Sequence, residues 1–294
     1  RQRQMCIRDS GISDMQKRVA AIHDISGIGK CSLTAALPII SAAGVEAAAM
    51  PTAVLSTHTG DISGFTYRDL TGDMPAIAAH WKSLGIRFDA VYSGFLGSTE
   101  QVNIVSDFID DARSGECVVI VDPAMADSGV MYKTFNSDFA ANMARLCKKA
   151  DIIIPNITEA AILCGCEYRE PVHSREYIES LLHSLSDYPA KAVVLTGVSF
   201  DGGSIGCAVL DKSNGDISYV FSKKLPGIYY GTGDIFASAL TGAYMRGRSI
   251  AESADIATRF TFSAIERTYI AGTDPRFGVN FEEGLGAYIN MLGE

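Results

Sequence analysis

The stretch Cys117-Val118-Val119-Ile120-Val121-Asp122-Pro123 joins an uninterrupted apolar run to a polar turn. A short run rich in β-branched residues is typical of a strand that is buried on both faces of a parallel sheet. Similar runs recur along the chain, separated by segments with helical spacing such as Gln101–Arg113 and Phe139–Lys148. The predicted strands are Arg18–Ile22, Val45–Met50, Ala90–Tyr92, Cys117–Val121, Asp151–Ile154 and Ala192–Leu195. This alternation predicts an α/β fold with a central, mostly parallel sheet flanked by helices.

The pattern changes in the last third of the chain. Cys207–Leu210 and Ile217–Phe221 are apolar runs on either side of Asn214-Gly215, a dipeptide that favours a tight hairpin. We therefore expect the sheet to end in an antiparallel edge. Two helices should follow, over Asp234–Arg246 and from Ser249 onward, the second opened by a capping box.

The first ten residues show neither the apolar core of a signal peptide nor a useful periodicity. We expect residues 1–14 to be a non-native or disordered extension, with the native start near Met15. The remainder contains no internal repeat, low-complexity tract or linker. Residues 15–294 are therefore expected to form one domain.

Composition restricts the classes of function. The chain has 294 residues, of which 47% are hydrophobic, and a formal net charge of -9. An acidic surface repels phosphate backbones, which argues against a nucleic-acid partner. No apolar run approaches the roughly 18 residues that a membrane span needs. The seven cysteines are an odd number and several lie in apolar runs, as expected for reduced thiols in a cytoplasmic protein.

Polar residues directly follow five of the predicted strands. They are His23 to Gly27, Ser93-Gly94-Phe95, Asp122-Pro123 with Asp127 close behind, Asn156 to Glu159, and Thr196-Gly197. The carboxyl ends of parallel strands share one edge of an open sheet, which is where such sheets bind ligands. We therefore expect these side chains to lie around one site.

Asp122, Asp127, Asn156 and Glu159 form a mostly acidic subset of this group. Three carboxylates repel one another unless a cation lies among them. Ligands that are all oxygen atoms suit Mg²⁺, which bridges protein carboxylates to substrate phosphates. Read singly, each residue also fits a turn or a helix start; the set as a whole favours a magnesium site.

Gly231-Thr232-Gly233-Asp234 lies at the predicted start of a helix. Glycines there let a ligand approach the backbone, and the free N–H groups of the first turn bind anions. Gly27-Ile28-Gly29-Lys30-Cys31-Ser32, in contrast, matches neither a P-loop nor the Gly-x-Gly-x-x-Gly dinucleotide motif. His58, in the polar segment Ser56–Gly60, is a further candidate pocket residue.

Together these motifs resemble the ribokinase superfamily and, within it, the bacterial pyridoxal/pyridoxamine kinases, from Lys17 onward. Gly231-Thr232-Gly233-Asp234-Ile235-Phe236-Ala237 resembles the signature that carries the anion hole and the catalytic aspartate. Asn156-x-x-Glu159 resembles the metal-associated motif, and Asp122–Asp127 an element near the phosphates. Ser56–Gly60 resembles the vitamin-pocket loop of the pyridoxal kinases.

The resemblance implies a ribokinase-like fold and a cytoplasmic, ATP-dependent kinase that phosphorylates the hydroxymethyl group of a B6 vitamer. The residues to which it assigns roles are Asp234, Gly231, Thr232 and Gly233 in catalysis; His23, Ser26, Thr57, His58, Thr59 and Phe95 at the substrate; Asp122, Tyr132, Asn156, Thr196 and Gly197 at ATP; and Asp122, Asp127, Asn156 and Glu159 at the metal. It also implies Mg²⁺ as a cofactor, allows a monovalent cation such as K⁺, and favours a homodimer.

Two other functions remain open. The segment His23–Gly27 is closer to the hydroxymethylpyrimidine kinases, which use the same machinery on a different ring, and Phe95 stands where some pyridoxal kinases place tyrosine. A non-catalytic ligand-binding domain would be expected to lack part of the catalytic set, whereas Asp234, Asn156 and Glu159 are all present.

Overall fold

A central nine-stranded sheet organises the computed structural model, which describes residues 16–113 and 116–293. The strands are β1 (Arg18–Ile28), β2 (Glu46–Thr57), β3 (Tyr67–Asp69), β4 (Ala90–Ser93), β5 (Val118–Val121), β6 (Ala126–Asp127), β7 (Val130–Met131), β8 (Ile152–Ile153), β9 (Ala192–Val198), β10 (Ser204–Asp211) and β11 (Asp216–Lys223). The order across the sheet is β11-β10-β9-β8-β5-β4-β1-β2-β3, and β6 and β7 form a separate antiparallel pair. The extension predicted over residues 1–14 lies outside the described residues.

The six predicted strands are all present, and they pair in parallel across the middle of the sheet. The hairpin of β10 and β11 forms the expected antiparallel edge. A second antiparallel strand, β3, lies at the opposite edge and was not predicted. Its three residues are all exposed, so they carry no apolar alternation that the sequence could reveal.

Nine α-helices are described: α1 (Ser32–Ala42), α2 (Met74–Ser83), α3 (Thr99–Ala112), α4 (Ser137–Cys147), α5 (Ile157–Cys164), α6 (Arg175–Leu185), α7 (Thr232–Met245), α8 (Ile250–Ala271) and α9 (Leu285–Gly293). They form two apolar cores, one on each face of the sheet. Helices α2 to α6 contribute to the first core and α1, α7, α8 and α9 to the second. The predicted capping box at the start of α8 is present, with Ser249 and Glu252 satisfying each other's backbone N–H groups.

Strands β1 and β2 extend further than the sequence predicted. The predicted strands stop at Ile22 and Met50, but backbone pairing continues to Ile28 with Thr57, after a register shift between His23 and Ile25. Backbone hydrogen bonds do not require apolar side chains, so these strands run on past their buried sections. This corrects the expectation that the polar residues follow the strands as loops: His23, Ser26, Thr57, Thr196 and Gly197 lie within β1, β2 and β9.

The cysteines in the described part of the chain are free thiols, most of them buried. Among the described helices, none is both long and apolar enough to cross a membrane.

Candidate active site

Helix α7 begins at the carboxyl edge of the sheet with an open N-terminus. Gly231 precedes it at φ 75°, and a Cβ there would lie 2.5 Å from the carbonyl oxygen of Lys30, so only glycine fits this position. No described side chain caps the helix, which leaves its first N–H groups available to a ligand. The space where Gly233 would carry a Cβ has no atom within 4 Å. These features leave a helix start that is open to solvent and suited to binding an anion.

Asp234 lies half-buried in the first turn of α7, at this open helix start. Burial raises the pKa of its carboxyl to about 7; the backbone N–H of Ser32 acts in the opposite direction, and the negative charge of Asp24 adds to the rise. A carboxyl group with a pKa near neutral pH can accept a proton efficiently at that pH. Its position and pKa suit a general base.

The Asn156–Glu159 motif forms a capping box at the start of α5. The Glu159 carboxylate accepts the N–H of Asn156 through Oε2 at 2.9 Å and the N–H groups of Met125 and Ala126 through Oε1 at 3.0 and 3.5 Å. Asn156 Nδ2 donates to the Ala126 carbonyl at 2.8 Å. The motif therefore ties the segment after β5 to helix α5. The motif thus has a structural role, because both carboxylate oxygens of Glu159 accept hydrogen bonds from backbone N–H groups.

The carboxyl group of Asp122 is affected by this motif. Burial raises the pKa of Asp122 well above its usual range, and the charges of Glu159 and Asp234 raise it further. Burial also raises the pKa of Glu159 to about 7, against the three backbone N–H groups that stabilise its charge. Asp122 therefore experiences the negative charges of both Glu159 and Asp234, a repulsion that a bound cation would relieve.

Asp127 is placed differently from the other three carboxylates. Its side chain is exposed, and it accepts the N–H of the adjacent Ser128 at 2.7 Å. Within residues 16–113 and 116–293, no group of three or more His, Cys, Asp or Glu side chains is arranged to hold a metal ion. The metal assignment of Asp122, Asp127, Asn156 and Glu159 stays a prediction.

Thr196 and Gly197 lie beside Asn156, the residue that caps helix α5. Thr196 forms an isolated β-bridge with Asn156, and its N–H donates to the Pro155 carbonyl at 2.9 Å. Tyr132 lies in the segment that follows the short β6–β7 pair, 39% exposed, with its N–H bonded to the Met125 carbonyl. These residues line the same edge of the sheet as Asp122, where the nucleotide site was predicted.

His58 forms hydrogen bonds that link segments distant along the chain. Its Nδ1 accepts the N–H of Gly60 at 3.0 Å, and its Nε2 donates to the Arg276 carbonyl at 2.5 Å. The ring stacks on Tyr230 with centroids 5.3 Å apart. Both ring nitrogens are therefore engaged, in a histidine that is 9% exposed. Sequence reasoning selected His58 but missed Tyr230 and Arg276, because they lie far along the chain and carry no local motif.

The remaining predicted substrate residues fall into exposed and buried groups. Thr59 is exposed, and Thr57 is half-buried at the end of β2. The ring of Phe95 packs on that of Phe135, with the ring centroids 5.6 Å apart. His23 has no exposed surface; its ring lies 4.4 Å from that of Tyr92, and neither ring nitrogen has a partner among the described residues.

Ser26 likewise faces inward and donates through Oγ to Asp24 at 2.8 Å. His23 and Ser26 thus lie beneath the site, and the substrate roles predicted for the whole set stay predictions.

Comparison with known proteins shows that this chain is a kinase of the ribokinase superfamily. The model of the family described as phosphomethylpyrimidine kinase matches residues 28–277, and the chain belongs to that family.

Among solved structures, a Bacteroides thetaiotaomicron protein assigned provisionally as a phosphomethylpyrimidine kinase, in an orthorhombic form with pyridoxal, is 38% identical; the TM-score is 0.88 over 93% of this chain and 96% of that one. Pyridoxal kinase from Lactobacillus plantarum is 32% identical, with a TM-score of 0.85 over 95% of this chain and 98% of the other. The hydroxymethylpyrimidine/phosphomethylpyrimidine kinase of Bacillus subtilis is 26% identical over 228 residues, which is 76% of this chain and 79% of the relative.

Proposed function

We propose that this protein is an ATP-dependent kinase that phosphorylates the hydroxymethyl group of a B6 vitamer. The observation that carries the kinase mechanism is the open start of α7, where uncapped N–H groups and the carboxyl of Asp234 share one helical turn. The assignment to B6 vitamers draws support from two solved relatives: the Bacteroides protein whose orthorhombic form contains pyridoxal, at 38% identity, and the Lactobacillus plantarum pyridoxal kinase, at 32% identity.

In the proposed reaction, Asp234 removes the proton from the acceptor hydroxyl as that oxygen attacks the γ-phosphorus of ATP, the bond from that phosphorus to the β,γ-bridging oxygen breaks, and ADP leaves. The N–H groups at Thr232, Gly233 and Asp234 hold the transferring phosphoryl, whose negative charge the positive end of the helix favours. The open space at Gly233 would allow the phosphate to lie against the backbone. One short motif thereby places the base and the anion site next to each other.

Magnesium fits this site because of the carboxylates around it. Burial and then the charges of Glu159 and Asp234 raise the pKa of Asp122, so a divalent cation beside this half-buried carboxyl would lower the repulsion that it experiences. Asp122 would hold the ion, with Asn156, Glu159 and Asp127 acting on it directly or through water. When bound, Mg²⁺ would neutralise charge on the β- and γ-phosphate oxygens. A monovalent cation and a homodimer, both suggested by the resemblance, are further proposals.

The second candidate function is phosphorylation of hydroxymethylpyrimidine or its phosphate. The family description and the Bacillus subtilis relative support it. Both functions use the same base and anion site, so they differ only in the ring that the pocket accepts.

A substrate panel tests the proposal. Purified protein with MgATP is given pyridoxal, pyridoxamine, pyridoxine or hydroxymethylpyrimidine, and ADP formation is followed with the phosphorylated product identified by mass spectrometry. We expect a B6 vitamer to give the highest kcat/KM and excess EDTA to stop the reaction. Turnover of hydroxymethylpyrimidine alone would overturn the B6 assignment. No ADP with any acceptor would overturn the kinase mechanism at Asp234.

A further inference from the structure

The chain that leads out of β2 carries three residues predicted at the substrate, Thr57, His58 and Thr59, and ends its first turn at Asp61. Asp61 has φ 52°, in the left-handed region that non-glycine residues rarely adopt. Such conformations persist where contacts impose them. The contacts of this Thr57–Asp61 segment therefore bear on how the predicted substrate residues are placed.

Tyr230 supplies the contact that holds the end of the segment. Its hydroxyl donates to the carboxylate of Asp61, its ring stacks on His58 with centroids 5.3 Å apart, and a Cβ on Gly60 would lie 2.8 Å from that ring. The hydrogen bond with Asp61 is the main reason that the pKa of Tyr230 is raised to about 12, so the phenol stays protonated and can donate at neutral pH. One half-buried tyrosine thus packs against most of the segment.

The segment also contacts both stretches of chain that meet the open start of α7. Tyr230 directly precedes Gly231, the residue before the helix. His58 packs on Gly29, where an added Cβ would overlap the histidine ring. Gly29 adjoins Lys30, whose carbonyl oxygen would lie 2.5 Å from a Cβ on Gly231. The substrate residues of the segment are thereby attached to the place where the phosphoryl group would be transferred.

Two hydrogen bonds attach the segment to the rest of the protein at different points. His58 Nε2 donates to the Arg276 carbonyl at 2.5 Å and fixes the beginning of the turn. In the part of the chain that the structure describes, Tyr230 is the sole hydrogen-bond partner of the Asp61 side chain. The position of Thr59, which lies between these two points and is exposed, therefore depends on both bonds.

We propose that Tyr230 and Asp61 are positioning residues for the acceptor: their hydrogen bond holds the Thr57–Asp61 segment against the start of α7. This inference rests on the proposed function, since it assigns the segment to the acceptor site of a kinase. Residues that hold an acceptor in place also keep water from taking its position.

The expected failure of a loosened segment is transfer to water. The oxygen of a water molecule would bond to the γ-phosphorus, the bond from that phosphorus to the β,γ-bridging oxygen would break, and Asp234 would take the proton of the water. The products are ADP and inorganic phosphate. A variant without the Tyr230–Asp61 bond should therefore form more ADP than phosphorylated acceptor.

The variants separate the hydrogen bond from the shape of the segment. Tyr230→Phe removes the hydroxyl and keeps the ring, and Asp61→Gly removes the carboxylate and still adopts a positive φ. Asp61→Asn is the conservative variant, because its amide oxygen can accept the same bond and asparagine tolerates this φ. The matched control is Tyr229→Phe, which alters a second half-buried tyrosine, whose hydroxyl donates to the Pro226 carbonyl at 2.8 Å.

Hydrogen exchange of the full chain, followed by mass spectrometry, tests the bond without any turnover. In Tyr230→Phe and Asp61→Gly the protection of the amides of residues 58–61 should fall by about 3- to 10-fold, the change expected for one hydrogen bond. Asp61→Asn and Tyr229→Phe should match the wild type. Tyr230→Phe should add nothing in the Asp61→Gly background, because the bond is already absent there. Unchanged protection in Tyr230→Phe overturns the proposal.

Steady-state kinetics with MgATP and the best acceptor of the panel test the role in the reaction. For Tyr230→Phe we expect the KM of the acceptor to rise by about 3- to 10-fold, the KM of ATP to stay unchanged, and ADP to exceed the phosphorylated product. A purely structural loss would leave ADP and product equal. Lower protection with an unchanged acceptor KM and equal products overturns the positioning role. A panel without turnover refutes the proposed function and the acceptor role with it, while the exchange result still decides whether the bond holds the segment.

Discussion

Replacing Asp234 by asparagine should inactivate the enzyme and at the same time stabilise its fold at neutral pH. The native state raises the pKa of this carboxyl from 3.8 to about 7, chiefly through burial. A raised carboxyl pKa means that the folded state prefers the protonated form. The stability associated with Asp234 is therefore fully present below pH 3.8 and is lost as the pH rises through about 7. Asparagine carries no charge and avoids this loss.

The magnitude follows from the size of the shift. The rise of the pKa from 3.8 to about 7 corresponds to about 4 kcal/mol of unfolding free energy above pH 7. Asp234 is only half-buried, and water screens part of its charge. We therefore expect Asp234→Asn to be more stable than the wild type by about 1–3 kcal/mol at pH 8, and by less at pH 5. Loss of a general base should lower kcat by about 10²–10⁴.

Urea denaturation of both proteins at pH 5 and pH 8 measures the first effect, and steady-state kinetics measure the second. Other titrating groups are present in both proteins and largely cancel in the difference. Asp107→Asn, an exposed aspartate on α3, is the matched control and should change stability by less than about 0.5 kcal/mol. A stability difference that does not grow between pH 5 and pH 8 would refute the reasoning on burial. A variant that keeps more than roughly a tenth of the wild-type kcat would refute the role of Asp234 as base.

Three further predictions concern the motifs around this residue. Glu159→Gln should lower the unfolding free energy by about 1–3 kcal/mol, because an amide cannot accept all three backbone N–H groups that the carboxylate now accepts; an unchanged calorimetric Tm would contradict this. Gly231→Ala should destabilise the fold by about 1–3 kcal/mol, since its Cβ would lie 2.5 Å from a backbone oxygen at a positive φ. Gly233→Ala should leave Tm unchanged, because nothing lies within 4 Å, yet should lower kcat by crowding the phosphate; full activity in that variant would argue against a phosphate there.

Local sequence patterns were sufficient to predict elements that are apolar along their whole length or that are fixed by a short turn or capping motif. The six parallel strands could be predicted because a strand buried on both faces must be apolar along its length, as in Val118–Val121. The hairpin of β10 and β11 followed from its Asn-Gly turn, and the start of α8 from a capping box four residues long. The resemblance to the ribokinase superfamily was confirmed by the family match.

What depends on distant partners was decided only in the tertiary structure. The continued pairing of β1 with β2, the bond from His58 to the Arg276 carbonyl, and the backbone N–H groups that satisfy Glu159 each join segments with no shared local signal. The contact of the Lys30–Ser32 loop with the start of α7 is of the same kind. A sequence determines which residues can donate, accept or be buried. Which of them meet, and how burial then shifts the pKa of Asp234, depends on the packing of elements that are remote along the chain.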